Sequence, residues 1–132
     1  MQNRWIAIAA RVLLGIVFLL PAVLNVVGAM PQPQLPPPAA AFAKALADTH
    51  YMMPLMWTTM IIAGILLLSG FAVPLALVLL APLVINIFAF HLFLDSSGTT
   101  IAILIAVLEL HLAWYYRGAF SALFRQIAPP AR

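Results

Sequence analysis

Residues 51–94 read YMMPLMWTTMIIAGILLLSGFAVPLALVLLAPLVINIFAFHLFL and contain no Asp, Glu, Lys or Arg. About 20 apolar residues of helix cross a hydrocarbon core of roughly 30 Å, so this stretch has room for two passes through a bilayer. It divides at Ser69-Gly70-Phe71-Ala72-Val73-Pro74, where a Gly ends one helix and a Pro begins the next. Two spans, Tyr51–Ala72 and Val73–Leu94, therefore lie back to back along the chain.

Working outward, Trp5–Ala29 and Thr99–Gly118 supply a first and a fourth span of similar length. Arg4 and Arg11 precede an apolar run ending in Val27-Gly28-Ala29, in the manner of a signal peptide. That run is longer than a signal core, and a retained first span is expected. Asp95-Ser96-Ser97-Gly98-Thr99 forms the turn into the last span and offers N-cap residues for it. Four spans with short links use nearly all of the 132 residues, leaving one membrane domain over 1–132. The expected fold class is an all-α integral membrane four-helix bundle with a short interfacial helix in its first outer loop.

The composition agrees: 66% of residues are hydrophobic and 7% charged, where soluble domains carry about 25% charged residues. Cysteine is absent, which removes disulfides, thiol redox chemistry and cysteine-held clusters. The net charge of +3 comes from six scattered basic residues, mostly at span ends. Those are topology signals and not a nucleic-acid footprint.

The Pro-rich loop, 30–50, differs from the other links. Pro31-Gln32-Pro33-Gln34-Leu35-Pro36-Pro37-Pro38 is expected to be extended. Ala39–Asp48 then reads as a short helix with Phe42 and Leu46 on one side and Lys44 and Asp48 off it, suited to a membrane surface. Arg4, Arg117, Arg125 and Arg132 outweigh the lone Lys44, which predicts cytoplasmic termini and an outward Pro-rich loop and Asp95 turn. Trp5, Trp114, Tyr115 and Tyr116 fit an aromatic belt at the inner interface.

Ionisable groups inside a membrane are costly and are functional candidates by default. Arg11 lies about 9 Å from the inner surface and Glu109 about 14 Å from the outer one, counting about 1.5 Å per residue. The expectation is a buried Arg11–Glu109 ion pair between the first and fourth spans; the alternative is that Arg11 reaches toward the headgroups. Arg4, Arg11, Phe18 and Asn25 recur every seven residues, and Gly15 and Ala22 share their face, so this side of the first span should turn inward. His111 stands roughly 200° around the helix from Glu109, which makes it a candidate for facing a partner. The bland account gives it a hydrogen bond to a backbone carbonyl.

Toward the outer end, Asn25, His50, Asn86 and His91 are candidates to line a ligand or quinone pocket under the Pro-rich loop, with Asp95 nearby as a helix cap. No metal-ligand spacing and no nucleophile–base pair is present, so neither a metal site nor a catalytic residue is assigned. Pro21, Pro74 and Pro82 punctuate the spans, and Pro82 leaves the Val78 carbonyl without its helical donor.

Pro74-Leu75-Ala76-Leu77-Val78-Leu79-Leu80-Ala81-Pro82, continuing through Asn86 to Phe90-His91-Leu92-Phe93-Leu94-Asp95, resembles the DoxX-like family of small four-helix membrane proteins. Arg11-Val12-Leu13-Leu14-Gly15 with Asn25, Gly64 to Gly70, and Glu109 to Arg117 extend the likeness over nearly the whole chain. The resemblance implies a bacterial inner-membrane bundle, associated with quinone-reducing or terminal oxidase systems. By position it directs attention to Arg11, Asn86, His91 and Glu109. Members often carry an acidic residue early in the second span; this chain has Thr58-Thr59-Met60 there, so no proton relay is implied.

The function expected is an accessory subunit of a redox or respiratory membrane complex, without catalysis of its own. Its partners are the bilayer and either another subunit or further copies of itself. A quinone-binding redox subunit is the alternative, and a small-molecule carrier ranks last, because so few polar residues make a poor aqueous path. No cofactor is assigned, quinone being the one candidate.

Overall fold

The computed structural model describes residues 3–125. Six helices follow one another: α1 (Arg4–Val26), α2 (Pro37–Asp48), α3 (Met52–Ser69), α4 (Val73–Phe93), α5 (Thr99–Tyr115) and α6 (Arg117–Phe124), with a 3₁₀ turn at Ser96–Gly98 before α5. No strand occurs among the described residues. Four of the helical segments are long and apolar enough to cross a membrane: Arg4–Val26, Met52–Ser69, Val73–Phe93 and Ser96–Tyr115.

The four long helices run up, down, up and down. α1 packs against α3 and α5, and α4 packs against α3 and α5, closing a ring. One end of the bundle, here the terminal end, holds the start of α1, the α3–α4 turn and the end of α5. The other, the loop end, holds α2, the close of α4 and the Asp95 turn.

The core is built from Leu14 and Phe18 of α1, Ala63 and Leu67 of α3, Val73, Ala76, Leu77, Leu80 and Val84 of α4, and Ile105 and Leu112 of α5. In lipid the outer faces gain nothing by leaving their surroundings, so close packing carries the association. The tightest seam is α1 on α3. A Cβ on Gly64 would fall 2.8 Å from the Leu19 Cβ and 3.2 Å from the Gly15 carbonyl oxygen, so only glycine allows this approach. Gly15, Phe18 and Ala22 of the seven-residue stripe are buried as expected, Arg11 and Asn25 are half-buried, and Arg4 is exposed.

The links follow local chemistry. Gly70 takes φ +76° at the end of α3, and its N–H donates to the Leu66 carbonyl. Pro74 sits in the first turn of α4, where its missing N–H costs nothing. The polar side chains of α3 are satisfied within their own helix: Thr58 and Thr59 donate to the carbonyls of Pro54 and Leu55.

Three boundaries differ from expectation. α2 starts at Pro37, two residues inside the stretch expected to be extended, because proline is compatible with the first helical turn. α1 ends at Val26, where Ala29 and Met30 fold back to bond the Leu24 carbonyl. The fourth span stops at Tyr115; after Tyr116 the chain starts α6, a short helix that the sequence reading did not anticipate. Its signal was present: Phe120, Leu123 and Phe124 share one face, and Phe120 packs against the core. Arg132 lies outside the described residues.

Candidate functional site

The candidate residues separate into two groups by depth. At the terminal half, Glu109 sits on the core-facing stripe of α5 with Ala102, Ile105 and Leu112, all buried. It is 7% exposed, and its Oε2 has no hydrogen-bond partner. The Nε of Arg11 and the Nε2 of His111 are likewise buried and unpartnered. Such an unsatisfied buried acceptor or donor costs about 1–3 kcal/mol.

The expected Arg11–Glu109 pair does not form: among the described residues the one ion pair is Lys44–Asp48, on the surface of α2. The guanidinium of Arg11 goes instead to the α3–α4 turn. A Cβ built on Gly70 would fall 3.0 Å from its Cζ and 3.3 Å from its Nη2, so the group lies directly on the bare glycine. A long arginine stem makes this possible, covering apolar surface while its head moves to the end of the bundle. His111 also departs from the bland account, since its Nε2 bonds to no carbonyl.

At the loop half, Asn25, His91 and Asp95 are each hydrogen-bonded locally. Asn25 Nδ2 donates to the Pro21 carbonyl at 2.8 Å. His91 Nδ1 is 2.9 Å from the Asp95 carbonyl oxygen, which only accepts, so Nδ1 carries the proton. The ring of His91 stands edge-on to Phe90 at 5.1 Å, and Phe90 in turn meets Phe42 of α2 at 5.8 Å. Asp95 Oδ1 accepts from Ser97 Oγ at 2.7 Å and from Ser97 N at 3.1 Å. These bonds, the side-chain one foremost, hold the Asp95 carboxyl below its ordinary value of 3.8, with His91 adding to the effect. Asp95 thus caps the turn, as expected. His50 is exposed, with a positive φ of 64° where the chain swings from α2 into α3.

No hydrogen bond joins any two of Asn25, His50, Asn86 and His91. Asn86 lines a cleft of about 270 Å³ between α3 and α4, whose wall includes Leu46 of α2, Met56 and Thr59 of α3 and Pro82 of α4. Among the described residues no three His, Asp or Glu side chains gather as a metal site would require.

Two further features lay outside the sequence reading. A larger cleft of about 610 Å³ runs between α4 and α5 and is bordered by Glu109. At the terminal end, Arg117 Nη1 donates to the Trp114 carbonyl at 2.9 Å, and its guanidinium stands 4.7 Å above the Trp114 ring. That stacking ties the start of α6 to the end of α5. Neither a family model, nor a curated protein, nor a solved structure matches this chain.

Proposed function

We propose that this chain is a multi-pass protein of a bacterial inner membrane and serves as an accessory subunit of a redox or respiratory complex, without catalysis of its own. The observation that carries the reading is the set of unpartnered atoms at Arg11, Glu109 and His111, all in the terminal half of the bundle. By helical rise they lie about 10 Å, 9 Å and 6 Å from the terminal ends of α1 and α5. Polar groups in a membrane interior pair with something, and a second subunit is the natural source of what this chain lacks.

The rest of the molecule fits that role. Arg4, Arg117 and Arg125 against the single Lys44 support cytoplasmic termini. α2 suits the outer membrane surface, with Lys44 and Asp48 exposed and Phe42 and Leu46 turned toward the bundle. The DoxX-like resemblance lends the redox direction.

A second reading, a quinone-binding subunit, draws on the cleft that holds Asn86 and Thr59. Purification in mild detergent separates the two. A stoichiometric partner without small molecule supports the accessory role; a lone chain carrying extracted quinone supports the second. A lone chain with neither removes both.

A further inference from the structure

Pro82-Leu83-Val84-Ile85-Asn86 of α4 repeats the pattern of Pro21-Ala22-Val23-Leu24-Asn25 in α1. In α1 the amide closes on its own helix, Asn25 Nδ2 donating to the Pro21 carbonyl at 2.8 Å, one residue from the helix end. In α4 the same spacing gives no such bond, and among the described residues Asn86 has no hydrogen-bond partner. Asn86 is exposed, and it stands seven residues before Phe93, about 10 Å inside the loop end of α4. A carboxamide at that depth faces hydrocarbon with two N–H donors and an acceptor oxygen unmet, which is costly. Leu75, Val78, Pro82 and Ile85 share the outward side of α4 and are exposed with it. The α3–α4 cleft flanks this ridge on the Asn86 side, and the α4–α5 cleft flanks it on the Ile85 side. A ridge standing between two grooves is the form in which one helix packs on another.

We infer that two copies of this chain associate in the membrane through α4, the two helices crossing in parallel at 82–86 so that the Asn86 side chains hydrogen-bond to each other. The amide decides what the partner is. Copies inserted in the same direction are related by a twofold axis along the membrane normal, which brings a given residue to the same depth in both. A group that meets itself must be complementary to itself. A carboxamide is, because each Nδ2 donates to the other Oδ1; a carboxylate or a guanidinium is not. Side-chain hydrogen bonds of this kind join helices in membranes. An acyl chain covers the ridge but offers the amide nothing. A quinone carbonyl only accepts, so it meets Nδ2 and leaves Oδ1 bare. α2 lies over the loop end of α4 through Phe42 on Phe90, which sets the crossing on the terminal side of that contact, at Asn86. The pairing uses none of the three atoms that carry the accessory role, and it competes with the quinone reading for Asn86.

Cysteine is absent from the chain, so a single introduced cysteine reports on one position. On mild oxidation in native membranes, Ile85→Cys should give a disulfide-linked dimer, whereas Leu13→Cys of α1 and Leu104→Cys of α5, exposed on other faces, should stay monomeric. The full chain, dye-labelled for energy transfer, is then diluted with phospholipid in vesicles. Asn86→Leu should need about tenfold more protein per lipid to reach half-dimer, the worth of two interhelical hydrogen bonds. Asn86→Gln keeps a carboxamide and should stay within about threefold of the native chain. Asn86 is exposed, so neither change reaches the core. No dimer through Ile85→Cys, equal linkage through Leu13→Cys or Leu104→Cys, an Asn86→Leu midpoint equal to the native one, or a monomer carrying extracted quinone in place of the dimer each overturns the pairing.

Discussion

The loop half and the terminal half of this bundle treat their polar groups differently. Near the loops, Asn25, His91, Asp95, Ser97 and Thr99 all bond to nearby backbone or to each other. Near the termini, Arg11, Glu109 and His111 each keep a buried atom without a partner. Both halves are assembled from the same helices, so the contrast is not one of fold. It leaves the terminal half with buried polar atoms that the described residues do not satisfy.

The contrast is open to test, and the largest effect belongs to the seam that ties the two halves together. Gly64→Leu drives a side chain into Leu19 and the Gly15 carbonyl, and with backbone in the way the cost should reach or exceed the about 1–3 kcal/mol typical of overpacking. Thermal melting in detergent reads this out; a wild-type melting temperature would mean that the α1–α3 approach is not what unites the halves. Next comes the terminal half itself. Glu109→Leu removes an unsatisfied acceptor without breaking a bond, so the isolated chain should gain up to about 1–3 kcal/mol in a denaturant titration. A loss of that size would reveal a partner for Glu109 inside this chain and dissolve the contrast.

The loop half should respond in the opposite sense and more gently. Asp95→Asn should speed amide exchange at Ser97 while leaving the core resonances in place. The pH dependence has a definite sign: because the folded carboxyl titrates below its ordinary 3.8, its contribution is full above that value and fades as pH falls through the lower folded one. Protection of the Ser97 amide, taken relative to its intrinsic exchange rate at each pH, should accordingly be flat from neutral pH down to about 4 and fall only beneath it, and Asp95→Asn should abolish that fall. The smallest change is Lys44→Ala, which deletes an exposed i,i+4 ion pair worth about 0.3–0.5 kcal/mol.

Much of the fold was legible in the chain because its evidence is local. The span positions follow from apolar length, the α3–α4 turn from Gly70 and Pro74, and the sidedness of α2 from Phe42 and Leu46. The cap role of Asp95 was equally local. The site was less legible. Depth along a helix can be counted from a sequence, and it put Arg11 and Glu109 within reach of each other. The direction in which a long side chain leaves its helix cannot be counted, and Arg11 turns to Gly70 instead. A related reason applies to Asn25, His50, Asn86 and His91: depth put them at one end, but Asn25 and His91 bond to nearby backbone and His50 is exposed. α6 escaped notice because Phe120, Leu123 and Phe124 look like the tail of a span until Tyr116 interrupts it.

The brevity of the joint at Gly70–Ala72 bears on how the protein is made. With three residues between Ser69 and Val73, α3 and α4 are joined as a tight antiparallel hairpin. The tip of that hairpin, Gly70–Ala72, bears no charge and so carries no Lys or Arg topology signal. A single basic residue grafted onto that tip would add a topology signal at the same end of the bundle as Arg4 and Arg117.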